Sequence, residues 1–456
     1  MFTKSLKLSY FVIFFLNFLT GVEYAVILPT ALQFLQKYGG NEVDLGFCLS
    51  AYSFSSLFSS PIMGRWSDKT HNVKLIMIVA NFFQIIGSFM YFMGVSTWFI
   101  ISGRIVAGIG LGVVSASFSD VIKNTREEDR SPILSRIMVG RQIGMIIGPA
   151  FNFLLLNLNF KIGPFVLDKL SAPGLFMTLA WTILQIFVIL FYTNLSEFNQ
   201  VEQTDERTRL LNSNGGSSYN SIRIVDNSET DHFIIRLYNE YIREEIVAIY
   251  CSTFTVFFMQ TVLETMLTPF TKDYFKWSDI ENSILYGLAG LEIMIVFIFL
   301  SFLSKKYKDR TLLFIGLCGN LSTLIFLIIY LPMVVPDPNN LTQYILFIIP
   351  VFANVFSLPF IVLASISLLS KITSIHSQGL SQGIRRTVVG LACILGPNWA
   401  GAFYKQWFIM IGVLILLLLM SLIMSILSFN KLSSGPINKS TSLDDSNDNQ
   451  TNSINN

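Results

Sequence analysis

Twelve stretches of this sequence each hold the ~20 mostly apolar residues that a helix needs to cross a bilayer. They lie at about 8–35, 45–63, 74–95, 98–120, 136–156, 174–193, 246–269, 283–304, 311–331, 344–370, 379–403 and 407–429, numbered here as spans 1 to 12. Apolar residues make up 52% of the chain and charged residues 13%, about half of the ~25% usual in soluble domains. Such a chain cannot enclose its apolar side chains in one core surrounded by water, so most of them must face lipid. Backbone polar groups inside lipid must satisfy one another, which makes the spans helices and the fold class an all-α membrane protein. The first run is too long for a signal-peptide core and lacks a small-residue cleavage site, so it is read as a retained span.

Lys and Arg set the expected orientation. With the N-terminus in the cytosol, the opposite side receives only Lys37, Lys161, Lys169, Lys272, Lys276 and Lys405. Arg104 and Arg141 fall inside spans, and all other Lys and Arg, including Arg136, Arg385 and Arg386, are assigned to cytosolic segments. Both termini are therefore expected in the cytosol. The polar stretch 194–245, rich in Ser, Asn and Gly, separates a first bundle of six spans (1–193) from a second (246–430). It reads as a mostly disordered linker, and 431–456 as a disordered tail. Near the end of the linker, Ile234, Tyr238 and Tyr241 share one face of a possible surface helix.

The two bundles repeat a plan. An offset of 241 residues carries Glu23 onto Glu264 and Asp68 onto Asp309, and brings Pro29 within one residue of Pro269. Gly148-Pro149 in span 5 recurs as Gly396-Pro397 in span 11. Two pseudo-symmetric six-helix halves of this kind place a cavity at their interface, near the bilayer midplane.

After span 2 the chain reads Gly64-Arg-Trp-Ser-Asp68-Lys69, and span 4 holds Arg104-Ile-Val-Ala-Gly108-Ile-Gly110-Leu-Gly112. Span 5 places Gly140, Gly144 and Gly148-Pro149 at every fourth position. Each pattern is short, but together, in this order and on these spans, they resemble the major facilitator superfamily over nearly the whole chain. Within it, the segments around Gly64 and Gly108 look most like the lysosomal ceroid-lipofuscinosis-type group. The resemblance implies a twelve-span carrier working by alternating access. It also implies that Gly64, Asp68 and Lys69, with Asp309 by the repeat, latch one conformation; the usual basic pair closing the loop signature is reduced to Lys74. A solvated loop acid is the plainer reading of Asp68. Gly108, Gly112, Gly144, Gly148, Pro149, Gly396 and Pro397 suit close helix packing or local bends.

Charges inside spans are costly, about 2.5–3.5 kcal/mol on insertion scales. Three acids (Glu23, Glu264, Glu292) and two bases (Arg104, Arg141) carry that cost. Thr20, Glu23, Ile27 and Thr30 share a face of span 1, as Gln260, Glu264 and Thr268 do in span 7. These stripes read either as watered cavity walls or as structural interhelical bonds. Proton-coupled sugar carriers of the superfamily keep a span-1 carboxylate near the span-4 Arg, so the resemblance makes Glu23 and Arg104 the proton-coupling pair. Glu264 and Glu292 are assigned to the substrate cavity with Arg141, and Glu292 and Arg141 are alternatively a pair.

Glu206-Arg-Thr-Arg-Leu210-Leu211 fits an acidic dileucine sorting signal, with clathrin adaptors as the partners it would meet and a lysosomal or endosomal membrane as its destination. Asn340-Leu-Thr342 is the glycosylation acceptor that falls in a lumenal loop. A net charge of +2 gives no reason to expect nucleic acid as a partner. Cys48, Cys251, Cys318 and Cys393 are far apart with no His beside them, so neither a metal site nor a cofactor is expected. No catalytic triad or nucleotide loop appears, so an enzyme is not expected. The expected activity is movement of a small solute, coupled to protons. An anion conduit through Arg104 and Arg141, and a transporter-like receptor or scaffold, are the alternatives.

Overall fold

The computed structural model describes residues 2–155, 160–162, 165–196, 241–334 and 341–433. Every expected span falls on helix: Phe2–Val26, Glu42–Thr70, Val73–Met93, Thr97–Gly110 with Val113–Lys123, Glu127–Leu155, Ala172–Phe191, Glu244–Phe275, Asp279–Leu303, Asp309–Tyr330, Leu341–Ile372, Gln378–Phe403 and Trp407–Leu427. Most of the linker, the dileucine signal (Glu206, Leu210, Leu211), Asn340 and the tail from 434 lie outside the described residues. A strand pair, Phe160–Ile162 antiparallel to Phe165–Leu167, joins spans 5 and 6; the sequence reading has no strand there.

Local chemistry explains where the spans depart from their expected limits. Span 1 stops at Val26, four residues before a short helix Ala31–Gln36, because Pro29 in the intervening turn has no N–H to continue the ladder. Span 4 divides at Leu111–Gly112, inside its run of glycines, which give up helical order cheaply. Span 5 begins at Glu127, nine residues before its apolar part, with Glu127, Glu128 and Asp129 in the first turn complementing the helix dipole. Arg136, Arg385 and Arg386, expected in cytosolic segments, are helical residues of spans 5 and 11.

Among the described residues, nine helices are long and apolar enough to cross a membrane on length and composition alone, and those of spans 2, 5 and 11 are not among them. Span 2 lies against span 11, and span 5 against spans 1 and 8, and on the faces that meet these neighbours the three helices carry Ser, Gly and Arg, which lowers their mean hydropathy. The lipid-facing character shows on spans 6, 8 and 12, where Leu190, Phe302, Leu416 and Leu427 are each about two-thirds exposed or more.

Glycines set how near the helices come. A Cβ on Gly144 would strike the Phe18 carbonyl and stand 2.9 Å from the Val22 nitrogen, while one on Gly148 would stand 2.8 Å from the Ala25 Cβ. Gly140 meets the Phe14 ring, so span 1 rests on a glycine edge of span 5. Gly112 is held equally close to the Ser59 carbonyl of span 2, and Gly396 to Thr261 of span 7. Gly144→Val should therefore lower stability by at least the ~1–3 kcal/mol typical of overpacking. Gly412→Ala, with nothing within 4 Å of its Cβ position, should leave the melting temperature unchanged or higher. A thermal melt of the purified protein checks both.

Candidate functional site: a sealed ion pair, two mirrored clasps and a central group of arginines

Glu23 and Arg104 meet. Arg104 Nη1 donates to Glu23 Oε1, while Glu23 Oε2 accepts from Trp181 Nε1 at 3.1 Å and from Ser88 Oγ at 3.3 Å. Spans 1, 3, 4 and 6 therefore converge on one carboxylate. The Arg104 guanidinium lies over the Tyr52 ring of span 2, 4.4 Å from its centroid, a favourable cation–π placement. Arg104 Nε has no hydrogen-bond partner among the described residues. Glu23 is 1% exposed and Arg104 2%. Removing one member of such a buried pair costs about 3–5 kcal/mol, because the other charge is stranded.

This geometry corrects the expected cavity wall on span 1. Thr20 is buried and donates to the Asn17 carbonyl, and Ile27 is also buried, so the stripe containing Glu23 faces the interior of the first half. Span 7 differs. Glu264 is exposed, yet Tyr24 of span 1, Tyr286 of span 8 and Cys393 of span 11 all lie within its electrostatic range. Its range takes in elements of both halves, so its exposure is read as facing a space between them. Among the described residues its carboxylate makes no ion pair or hydrogen bond. Gln260 is half-buried on the same helix, and Thr268 shares a 3.0 Å hydrogen bond with the Tyr286 hydroxyl, which also donates to the Glu264 carbonyl.

Arg141 and Glu292 do not form the alternative pair: no ion pair joins them among the described residues, and Glu292 Oε2 is buried without a partner. Arg141 instead lies within electrostatic range of Arg385 and Arg386 of span 11. Those two are 4% and 8% exposed. Their assignment to a loop concealed them. The signal was available in their position, since seven residues into a helix that starts at 378 is ~10 Å along its axis. Trp181 and Ser88 were likewise missed, although a Trp in mid-span needs an acceptor for its indole N–H.

At one end of the molecule the halves are clasped twice. Asp68 accepts from the Gly379 and Leu380 backbone nitrogens, each at 2.8 Å, and from Lys123 Nζ at 2.7 Å. It thus caps the start of span 11 with a negative charge at the positive end of the helix. Of the two partners open to Asp68 in the sequence, a neighbouring helix start and Lys69, the structure uses the helix start; Lys69 is exposed, and Lys123 at the end of span 4 forms the ion pair. Asp309 repeats the arrangement. It accepts from Lys371 Nζ at the end of span 10, from Ser367 Oγ, and from Ser131 Oγ near the start of span 5, each at 2.7 Å. In each half, then, an acid joins its own lysine and reaches the opening turns of a helix in the other half. Gly64 packs directly on Gly379, each Cβ position falling on the other residue's carbonyl oxygen.

At the opposite end the bonds stay within a half: Lys37 to Asp168 at 2.7 Å and Tyr404 Oη to Asp273 at 2.8 Å. Partial burial works against the Asp168 carboxylate, but Lys37 and the Ser171 N–H outweigh it and hold the group below the usual carboxylate range.

Residues 13–397 and 249–444 match the family described as Major Facilitator Superfamily. The chain is 24% identical over 340 residues to major facilitator superfamily domain-containing protein 8 of Xenopus laevis, a match that takes in 69% of this chain and 61% of that protein. Its fold is similar to the crystal structure of the human organic anion transporter MFSD10, with a TM-score of 0.67 at 15% identity over 92% of this chain and 99% of that one. It is equally similar to the proton:xylose symporter XylE bound to 6-bromo-6-deoxy-D-glucose, with a TM-score of 0.67 at 12% identity over 95% and 97% of the two chains. With the paired clasps, the twelve helical spans and the family match over most of its length, the chain belongs to the Major Facilitator Superfamily and has the fold of its membrane transporters.

Proposed function

We propose that this protein is a carrier that moves a small solute across an endolysosomal membrane by alternating access, driven by protons through Glu23 and Arg104. The observation that carries the reading is the enclosed ion pair. A proton on Glu23 removes the charge that holds Arg104, and the guanidinium then gains by moving toward other acceptors or water. Because Glu23 touches spans 1, 3, 4 and 6, that change reaches the packing of the whole first half. The clasps at Asp68 and Asp309 close one end and leave the space at Glu264 to be reached from the other. Breaking them and closing the far end completes the cycle.

Several features support the finer points. The positive-inside pattern favours a cytosolic side for both termini and for the clasped end. The dileucine signal and the likeness to major facilitator superfamily domain-containing protein 8 favour an endolysosomal address, and the likeness to a proton:xylose symporter favours coupling to protons. The domain plan fits the same reading: 1–193 and 246–430 rock against each other, with the sorting signal carried by the linker 194–245. Arg104 is neutralised by Glu23 and sealed, so it does not join Arg141 in the continuous positive path that a conduit requires.

The test is uptake into proteoliposomes from a mixed metabolite pool, with and without an inward proton gradient. Accumulation of a solute above its outside concentration only under the gradient is the expected result. Equal uptake in both conditions removes the coupling, and ionic currents far beyond carrier turnover replace the carrier with a conduit.

A further inference from the structure

Among the described residues, Arg104, Arg141, Arg385 and Arg386 lie deep in the spans, and two of them have a partner for their charge or a hydrogen bond. Arg104 has Glu23, and Arg385 Nε donates to Gln382 Oε1 at 2.9 Å. Arg386 has neither. It is 8% exposed, its Nε is buried with no partner, and among the described residues no acid pairs with it. Arg141, half-buried on span 5 in the other half, also makes no ion pair among the described residues, and it lies within electrostatic range of Arg386. Glu264, the acid of the same space, pairs with neither.

A guanidinium cannot shed its proton inside a protein. Burying one without an acceptor costs several kcal/mol, and setting a second beside it adds repulsion. Packing does not require this arrangement, since span 11 is held to span 2 by Thr387 Oγ1 donating to the Leu57 carbonyl at 2.7 Å and to span 7 at Gly396. The unmet donors therefore want an acceptor that comes from outside the chain.

We infer that Arg141 and Arg386 form a subsite for an oxyanion group, a carboxylate or phosphate on the carried solute, gripped from both halves at once. The planar fork of each guanidinium matches a flat or tetrahedral oxyanion with two parallel bonds, a geometry that a spherical halide does not use. Binding cancels the repulsion between the halves, so the loaded cavity favours the arrangement in which spans 5 and 11 approach. This deepens the carrier reading of the same central space and rests on it.

The test uses the full chain in neutral-lipid nanodiscs at low salt, with thermal unfolding as the readout. Inorganic phosphate and succinate, applied separately, should each raise the melting temperature of the native protein, and sodium chloride at matched ionic strength should not. Whichever of the two acts more strongly names the source of the oxyanion. Arg386→Gln and Arg141→Gln should each weaken that effect at least tenfold in the concentration required. Each empty variant should melt above the empty native protein, because a stranded charge has gone. The inference is overturned if neither oxyanion acts, if chloride acts as strongly, or if both variants melt lower and respond to oxyanion as the native chain does. Uptake measured on the same preparations separates the two readings. Proton-driven uptake without an oxyanion effect removes this subsite and keeps the carrier, whereas an oxyanion effect without uptake keeps the subsite and removes the carrier.

Discussion

Glu23→Gln is expected to abolish proton-driven accumulation while solute exchange between the two sides continues. The amide keeps the size of the carboxyl group and can still accept from Trp181 Nε1 and Ser88 Oγ, but it can no longer gain or lose a proton. It also resembles the protonated state permanently, with Arg104 no longer facing a charge. The folded protein should lose part of the ~3–5 kcal/mol that separates a buried pair from a stranded ion, less than Glu23→Ala would lose. Accumulation and counterflow measured side by side on reconstituted protein check this, with a thermal melt to establish folding. Accumulation that keeps its dependence on the gradient would take the coupling role away from Glu23.

The second large effect is expected at Gly64→Val. Its Cβ would fall on the Gly379 carbonyl, backbone that cannot yield without separating spans 2 and 11. Because the clash is between the halves, it should spare each half and oppose only the state in which Asp68 caps span 11. An overpacking penalty of ~1–3 kcal/mol placed on one state of two shifts their ratio by about 5–150-fold. Transport should fall at least tenfold. Ser60→Cys, a site that is buried at the same contact, should react with a membrane-impermeant maleimide much faster in the Gly64→Val background. Unchanged labelling with normal transport would show that these glycines do not meet in the working cycle. Asp68→Asn should act in the same direction more weakly, since it keeps an acceptor for the Gly379 N–H.

Much of this was legible from residue types alone. The apolar runs located every helical span, because lipid leaves a span few other ways to satisfy its backbone. The repeat connected Glu23 to Glu264 and Asp68 to Asp309. The first match is one of sequence position only, since Glu23 is enclosed and Glu264 opens on shared space. The second is one of environment, and it extends to Lys123 and Lys371, which the sequence reading did not connect. Contacts between distant spans stayed hidden where composition has no period to report: Trp181 on Glu23, Lys123 on Asp68, Ser131 on Asp309. Arg385 and Arg386 were lost for a different reason. Charge normally marks the end of a span, and a helix face buried against protein escapes that rule.

The convergence of four spans on the Glu23 carboxylate has an evolutionary consequence. If the proton acts there, the energy source sits wholly in the first half, while the second supplies Glu264 and Arg386 to the shared space. Substitutions at those two positions can then alter what is recognised without disturbing the drive, so a descendant lineage can change its cargo and inherit its fuel.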